Sequence, residues 1–403
     1  MPTRTDSAAA PALSHASGRE YRIDFFRGIA LVSIFINHVH GNFWGNFTQR
    51  NWGFSDAAEL FVLLAGVSSA FAYWPRFIDG RWPFSLARIA KRIVILYVAH
   101  IAMIVVSLGL FAAAYLHWHD PWLINLDERK FILDKPLEAI IGLANLTYQT
   151  GGFNILPMYI GLLLLLPMMM LLARLRLWLP IAAGVAIWSV AHIFKISPPS
   201  HHDGQWYFNP LGWQLLFAVG LVWGIAFRRG ESILFIRPLY WAAVAYLAVA
   251  GIFVWFELWG LFPELPTWVW VDGFDKGWLG FFRFFHILAL CYVVAWSPIP
   301  GLLKDWLHAD NPIVRIGRNT LPVFCLGSIL SNVGLIIRWT VFGMSPEFEP
   351  TMKSIVLDTA IVAGGVALLY GLARFLDWSR EERRAGASRT HEAPIGTAAV
   401  RAD

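Results

Sequence analysis

Arg27 and His38 stand eleven positions apart inside the apolar run RIDFFRGIALVSIFINHV, residues 22–39. Eleven positions are about three helical turns, so both side chains leave one face of a helix roughly 17 Å apart. The hydrocarbon layer of a bilayer is about 30 Å thick. One helix therefore carries a cation toward one side and an imidazole past mid-depth. Ionisable groups are expensive at such depths, and by default they mark a pathway or a reaction site. A guanidinium suits phosphate because its planar fork donates in pairs. An imidazole titrates near neutrality and suits proton transfer. The two types at this spacing point to chemistry inside a membrane, with an anionic group held at one level and a proton moved at the other.

Further polar residues gather at the same two levels. Asp56 and Glu59 open the run FSDAAELFVLLAG, Asn209 and Gln214 fall in FNPLGWQLLF, and Lys276, Arg283 and His286 fall in DKGWLGFFRFFHILAL. All of these are expected near His38. Arg88, Lys91 and Arg92 enter an apolar run near the level of Asp24 and Arg27. Plainer roles exist for each. Asp56-x-x-Glu59 is also the spacing of a capping box, His38 and His286 are also compatible with structural histidines, and Arg88, Lys91 and Arg92 also suit lipid headgroups. Arg283 is harder to dismiss, because a guanidinium a turn inside a membrane needs a partner or a water-filled cavity. No metal site is expected, since neither His117 and His119 nor His201, His202 and Asp203 has zinc spacing. Gly66-Val-Ser68 has the look of a nucleophile elbow but lies within a helical run, without the strand such a turn requires.

The elements that must position these residues are helices. Of 403 residues, 57% are hydrophobic and 15% charged, where a soluble domain carries about 25% charged residues. The mean hydropathy is +0.54. Ten stretches are long and apolar enough to span: 25–39, 57–74, 93–115, 155–173, 177–194, 211–227, 238–259, 279–296, 319–337 and 354–376. With the N-terminus cytoplasmic, 22 of the 32 Lys and Arg fall in inner segments and 8 in outer ones, the remaining two being Arg27 and Arg283. The positive-inside rule thus sets both termini in the cytoplasm. Residues 136–150 read as a short amphipathic or re-entrant helix on the outer side. The expected fold is an all-α polytopic bundle over 21–378, with disordered tails at 1–20, which lacks the apolar run of a cleaved signal, and at 379–403. The two cysteines, Cys291 and Cys325, lie in apolar runs, so no disulfide framework is expected. The net charge of +5 is spread over short loops and does not argue for nucleic acid.

RIDFFRGIALVSIFINHV, GFSDAAELFVLLAG, FNPLGWQLLF and GRNTLPVFCLG together resemble the OpgC family of inner-membrane proteins, from about Arg19 to Arg374. That family acts in succinylation of osmoregulated periplasmic glucans. It is similar in turn to the integral-membrane acyltransferase family three, whose hallmark of Arg or Lys, ten residues, then His is matched by Arg27 and His38. The resemblance implies an O-acyltransferase that takes an acyl group, succinyl foremost with acetyl the competitor, from cytosolic acyl-CoA to a periplasmic glucan. Arg27, Arg88 and Arg92 would hold the CoA phosphates. His38 would act as base or carry the acyl group, with Asp56 or Glu59 orienting it. Asn209, Gln214, Lys276, Arg283 and His286 would meet substrate, Arg283 and Lys276 at the succinyl carboxylate. No permanently bound cofactor is implied; lipids and glucan-synthesis proteins are the expected partners. The other class compatible with buried Arg and His is a transporter or flippase, but no internal repeat of the kind common in transporters is visible.

Overall fold

The computed structural model of the protein describes residues 21–201, 204–260, 273–343 and 350–391. The expected tail 1–20, the end 392–403, His202 and Asp203 lie outside the described residues. Leaving single turns aside, the helices run in chain order as α1 Tyr21–His38, α2 Ala57–Ile78, α3 Trp82–Trp118, α4 Pro136–Ala144, α5 Ile155–Leu175 and α6 Leu179–Phe194. They continue with α7 Pro210–Arg228, α8 Arg237–Trp255, α9 Phe281–Trp296, α10 Pro312–Arg318, α11 Thr320–Phe342 and α12 Met352–His391. No strand occurs among the described residues.

Each of the ten apolar stretches lies on one of these helices. Seven of the helices are long and apolar enough to cross a membrane: α2, α3, α5, α7, α8, α11 and α12. α6 and α9 are apolar but have only 16 residues each, about 24 Å of helix. α1 is long enough, at 18 residues, but carries Asp24 and Arg27. α4 has nine residues, about 14 Å, too short to span. α12 runs past the expected boundary at Ser379 as far as His391. Its polar end is rich in good helix formers, and Arg383 reaches back to Ser379 at 3.2 Å.

The centre of the bundle is the crossing of α2 with α7, the most extensive helix pair. Glycine permits the approach. A Cβ on Gly66 would sit 2.2 Å from the Phe217 carbonyl oxygen, and one on Gly220 would sit 2.1 Å from that of Leu63. Close backbone contact through small residues is how helices associate where lipid removes the hydrophobic drive. The periphery is different. α3, α8 and α12 turn Val94, Val98, Val105, Leu239, Val249, Ile252, Val356, Leu368 and Phe375 outward. Faces of that size are stable against hydrocarbon and not against water. The protein is a multi-pass membrane protein.

α1 is wedged between α2, α10 and α11. α10 is a half-helix, capped by the Asn311 side chain, which accepts from the Ile313 and Val314 amides at 2.8 and 3.2 Å, with Pro312 at its first position. It lies so close to α1 that a Cβ on Gly28 would meet the Ile313 carbonyl oxygen at 2.1 Å. Asn319 then breaks the path into α11, its side chain donating to the Arg315 carbonyl at 2.9 Å. On α12, the buried Asp377 takes ion pairs from Arg318, Arg315 and Arg380, and so ties α12 to α10. The Arg27 end of α1 is held rigidly by this packing.

Candidate functional site

His38 is the last residue of α1. Its Nδ1 lies 2.7 Å from the carbonyl oxygen of Ile34, one turn earlier in the same helix. A carbonyl only accepts, so Nδ1 carries the proton and donates. In the neutral ring Nε2 then bears the lone pair. Among the described residues, the Ile34 carbonyl is the hydrogen-bond partner that sets this tautomer. Asp56 and Glu59, expected to orient the imidazole, do not hold Nδ1. Gly152 closes over the other edge of the ring: its φ of +86° is left-handed, and a Cβ there would lie 4.0 Å from Nε2.

His38 lines a cavity of about 430 Å3. Its walls come from the end of α1 (Asn37), the loop after it (His40, Arg50), the start of α2 (Asp56), the Gly151-Gly152 turn before α5, the loop before α7 (Gln205, Tyr207, Phe208), Lys276, and α11 (Ser328, Asn332). Amides, a phenol and aromatic rings stand around it beside charged groups, a concave site with several convergent polar groups. Burial raises the Tyr207 phenol above its ordinary value, so it stays a neutral donor. A second cavity of about 210 Å3 shares Asn37 and Arg50 with the first.

The expected acidic pair is present but divides its labour. Asp56 caps α2, accepting from the Ala58 amide at 2.8 Å, and Glu59 returns the bond to the Asp56 amide at 2.8 Å. Lys276 Nζ is 2.5 Å from the Asp56 carboxylate. Arg283 grips the fully buried Glu59 through Nε at 2.7 Å and lies 3.6 Å from Asp56. Burial alone would raise the Asp56 carboxyl, but Lys276 and Arg283 outweigh it and hold the group well below its usual range. Burial likewise works against the Lys276 ammonium, and Asp56 and Glu59 overcome it and raise its pKa. Two acidic and two basic side chains are thus interleaved. Asp56 and Lys276 line the cavity, whereas Glu59 and Arg283 lie behind it.

Asn209, Gln214 and His286 are placed as framework. Asn209 caps α7 through the Leu211 amide and donates to the Ile196 carbonyl at 2.8 Å. Gln214 donates to the Gly184 carbonyl at 2.7 Å, joining α7 to α6. His286 shares a 2.7 Å bond with Ser55, under a Gly53 whose Cβ would collide with the ring. None of the three lines the cavity. Sequence spacing marked them as polar residues at the correct depth, but helix ends in a bundle consume such groups. Trp213 carried no chemical signal in the sequence, yet its indole donates to the carbonyls of Lys276 and Gly277 and fixes the lysine's loop.

At the other level of α1, Arg27 reaches the Ser68 hydroxyl and the Leu64 carbonyl on α2, with Asp24 at 3.6 Å. Ser68, which looked like a nucleophile elbow, is thus a partner for Arg27. Arg88 is exposed and donates to the Ala72 carbonyl at 3.1 Å, beside the Tyr73 ring. Arg92 is half-buried and close enough to Tyr73 and Cys325 to influence both electrostatically. Arg27, Arg88 and Arg92 therefore group around the second half of α2, away from the cavity.

A family model described as OpgC protein matches residues 19–381. Neither a curated protein nor a solved structure matches the chain.

Proposed function

The chain belongs to the OpgC family, and on that premise we propose that it is an O-acyltransferase of glucan modification, working across a bacterial inner membrane. The donor is a cytosolic acyl-CoA, with succinyl first among acyl groups. The acceptor is a hydroxyl of a periplasmic glucan. In this reading the Arg27 end of α1 faces the cytoplasm with both termini, and the His38 end faces the glucan. Surrounding lipids and proteins of glucan synthesis are its neighbours.

The observation that carries the reading is the bond from His38 Nδ1–H to the Ile34 carbonyl, which leaves Nε2 as a proton acceptor in a polar cavity. CoA phosphates engage Arg27, Arg88 and Arg92, and the thioester reaches the level of His38, roughly 17 Å along α1. Nε2 takes the proton of a glucan hydroxyl as its oxygen attacks the thioester carbonyl. The C–S bond then breaks, and the thiolate receives the proton back from the imidazolium. The products are a glucan ester and free CoA. Developing imidazolium is favoured by the Nδ1 bond, as by the third member of a triad.

The test is purified protein in nanodiscs with succinyl-CoA and a glucan, read by mass spectrometry of the glucan. An ester should form, and His38→Ala should lower its rate by about 10²–10⁴-fold, the usual worth of a general base. Glucan or donor carried across vesicles without esterification would overturn the reading in favour of a transporter.

A further inference from the structure

The cations around the cavity differ in what they already hold. Lys276 is paired with Asp56, Arg283 with Glu59 and Asp56, and Arg338, which lines the adjoining cavity, with the buried Asp358. Neither of the two cations expected to meet an acyl carboxylate, Lys276 and Arg283, is unpaired. Arg50 is different. It lines both cavities, is exposed, and among the described residues makes no hydrogen bond or ion pair.

Its backbone is anchored on every side. Asn42 ties the loop to α1 through the Ile36 and Val39 carbonyls, and Thr48 bonds the Asn37 side chain at 2.6 Å. Phe43 donates its amide to Asp358 on α12 at 2.8 Å, and Gln49 bonds Ser55 at 3.1 Å. The loop thus fixes the root of the Arg50 side chain at a wall shared by the two cavities. Glu128 also lines the first cavity, so the wall is not basic overall, and selection must come from where Arg50 stands.

We propose that Arg50 is a specificity residue that receives a carboxylate borne by a substrate, in the cavity that also holds His38. The carboxylate has two possible sources, the far end of a dicarboxylic acyl group or an acidic sugar of the acceptor. The assignment rests on the acyltransferase reading for its role in turnover, while binding itself does not depend on it.

The experiment has two readouts on the full chain in nanodiscs. First, saturation-transfer NMR measures binding of succinate against succinamide and of glucuronate against glucose. Wild type should favour an anion over its neutral counterpart, Arg50→Gln should lose that preference, and Arg50→Lys should keep part of it. Second, turnover is compared for succinyl-CoA and acetyl-CoA on neutral and carboxylated glucans. If the acyl group is the source, Arg50→Gln should cut the succinyl-to-acetyl ratio about tenfold or more, as loss of a charge-assisted bond does. If the acceptor is the source, the ratio of carboxylated to neutral glucan falls instead. Wild type without preference for either anion, or Arg50→Gln with every preference unchanged, overturns the assignment. Wild type that binds an anion through Arg50 yet forms no ester supports the site and refutes the acyltransferase reading.

Discussion

Replacing Arg283 by Met tests whether the ion pair behind the cavity is framework. Glu59 has no solvent exposure, and its Oε1 receives Arg283 Nε and Nη2, each at 2.7 Å. Two unit charges about 4 Å apart attract by roughly 4 kcal/mol at an effective dielectric constant of about 20. Removing the guanidinium leaves a buried carboxylate whose nearest remaining cation, Lys276, is engaged by Asp56. Breaking a buried pair from one side costs about 3–5 kcal/mol, whereas replacing both partners by neutral groups is often close to neutral. The amide oxygen of Gln still accepts from the Asp56 amide, so Glu59→Gln with Arg283→Met keeps the helix cap. The single Arg283→Met variant should therefore lose about 3–5 kcal/mol and the double variant about 1 kcal/mol, so the second substitution should restore roughly 2–4 kcal/mol. Equilibrium unfolding in mixed micelles, followed by tryptophan fluorescence, measures all four corners. Glycan esterification should survive in the double variant, because neither residue lines the cavity. An Arg283→Met variant as stable as wild type, or a double variant no better than the single, would refute the reasoning.

Gly317→Ala places a Cβ 1.7 Å from the Asp24 carbonyl oxygen, so it should destabilise by about 2 kcal/mol or more, while Gly364→Ala, which meets nothing, should not; thermal unfolding compares them. Asn209→Ala should lose about 1–2 kcal/mol as a cap with the acceptor KM unchanged, since its bonds run to Leu211 and Ile196. The Asp56–Lys276 pair has its own pH window. Asp56, held below its ordinary 3.8, contributes stability above that value and loses it as pH falls further, while Lys276, raised above 10.5, contributes below that value and loses it as pH rises. The destabilisation by Lys276→Met should thus be constant from about pH 5 to 9 and shrink in acid, as pH-dependent unfolding will show.

Helix positions were legible because a bilayer demands long apolar runs, and every run longer than a few turns had nowhere else to go. Grouping was partly legible too: Arg27 and His38 lie three turns apart on one helix, and Asp56, Lys276 and His38 do line one cavity. Pairing was not. The sequence cannot show that α7 starts beside the Lys276 loop, so Asn209 and Gln214 carried the same signal as a binding residue while serving as a cap and a helix tie. Glu59 hid in the same way, because capping-box spacing and catalytic spacing coincide. Arg50 was counted only as one outer charge. Its standing depends on which neighbours are already neutralised, which is a property of the packed bundle.

The bond from His38 to Ile34 gives α1 a modular character. If His38 is the base proposed above, its proton is directed by a carbonyl four residues back in its own helix, and it needs no acid from elsewhere in the fold. The same helix carries Arg27 three turns away, so on the proposed reading donor anchor and base form a single inheritable segment. Sequence outside that segment is then at liberty to diversify the cavity, and a change of acceptor or acyl group becomes a matter of loops such as the one bearing Arg50, with the proton-transfer apparatus left untouched.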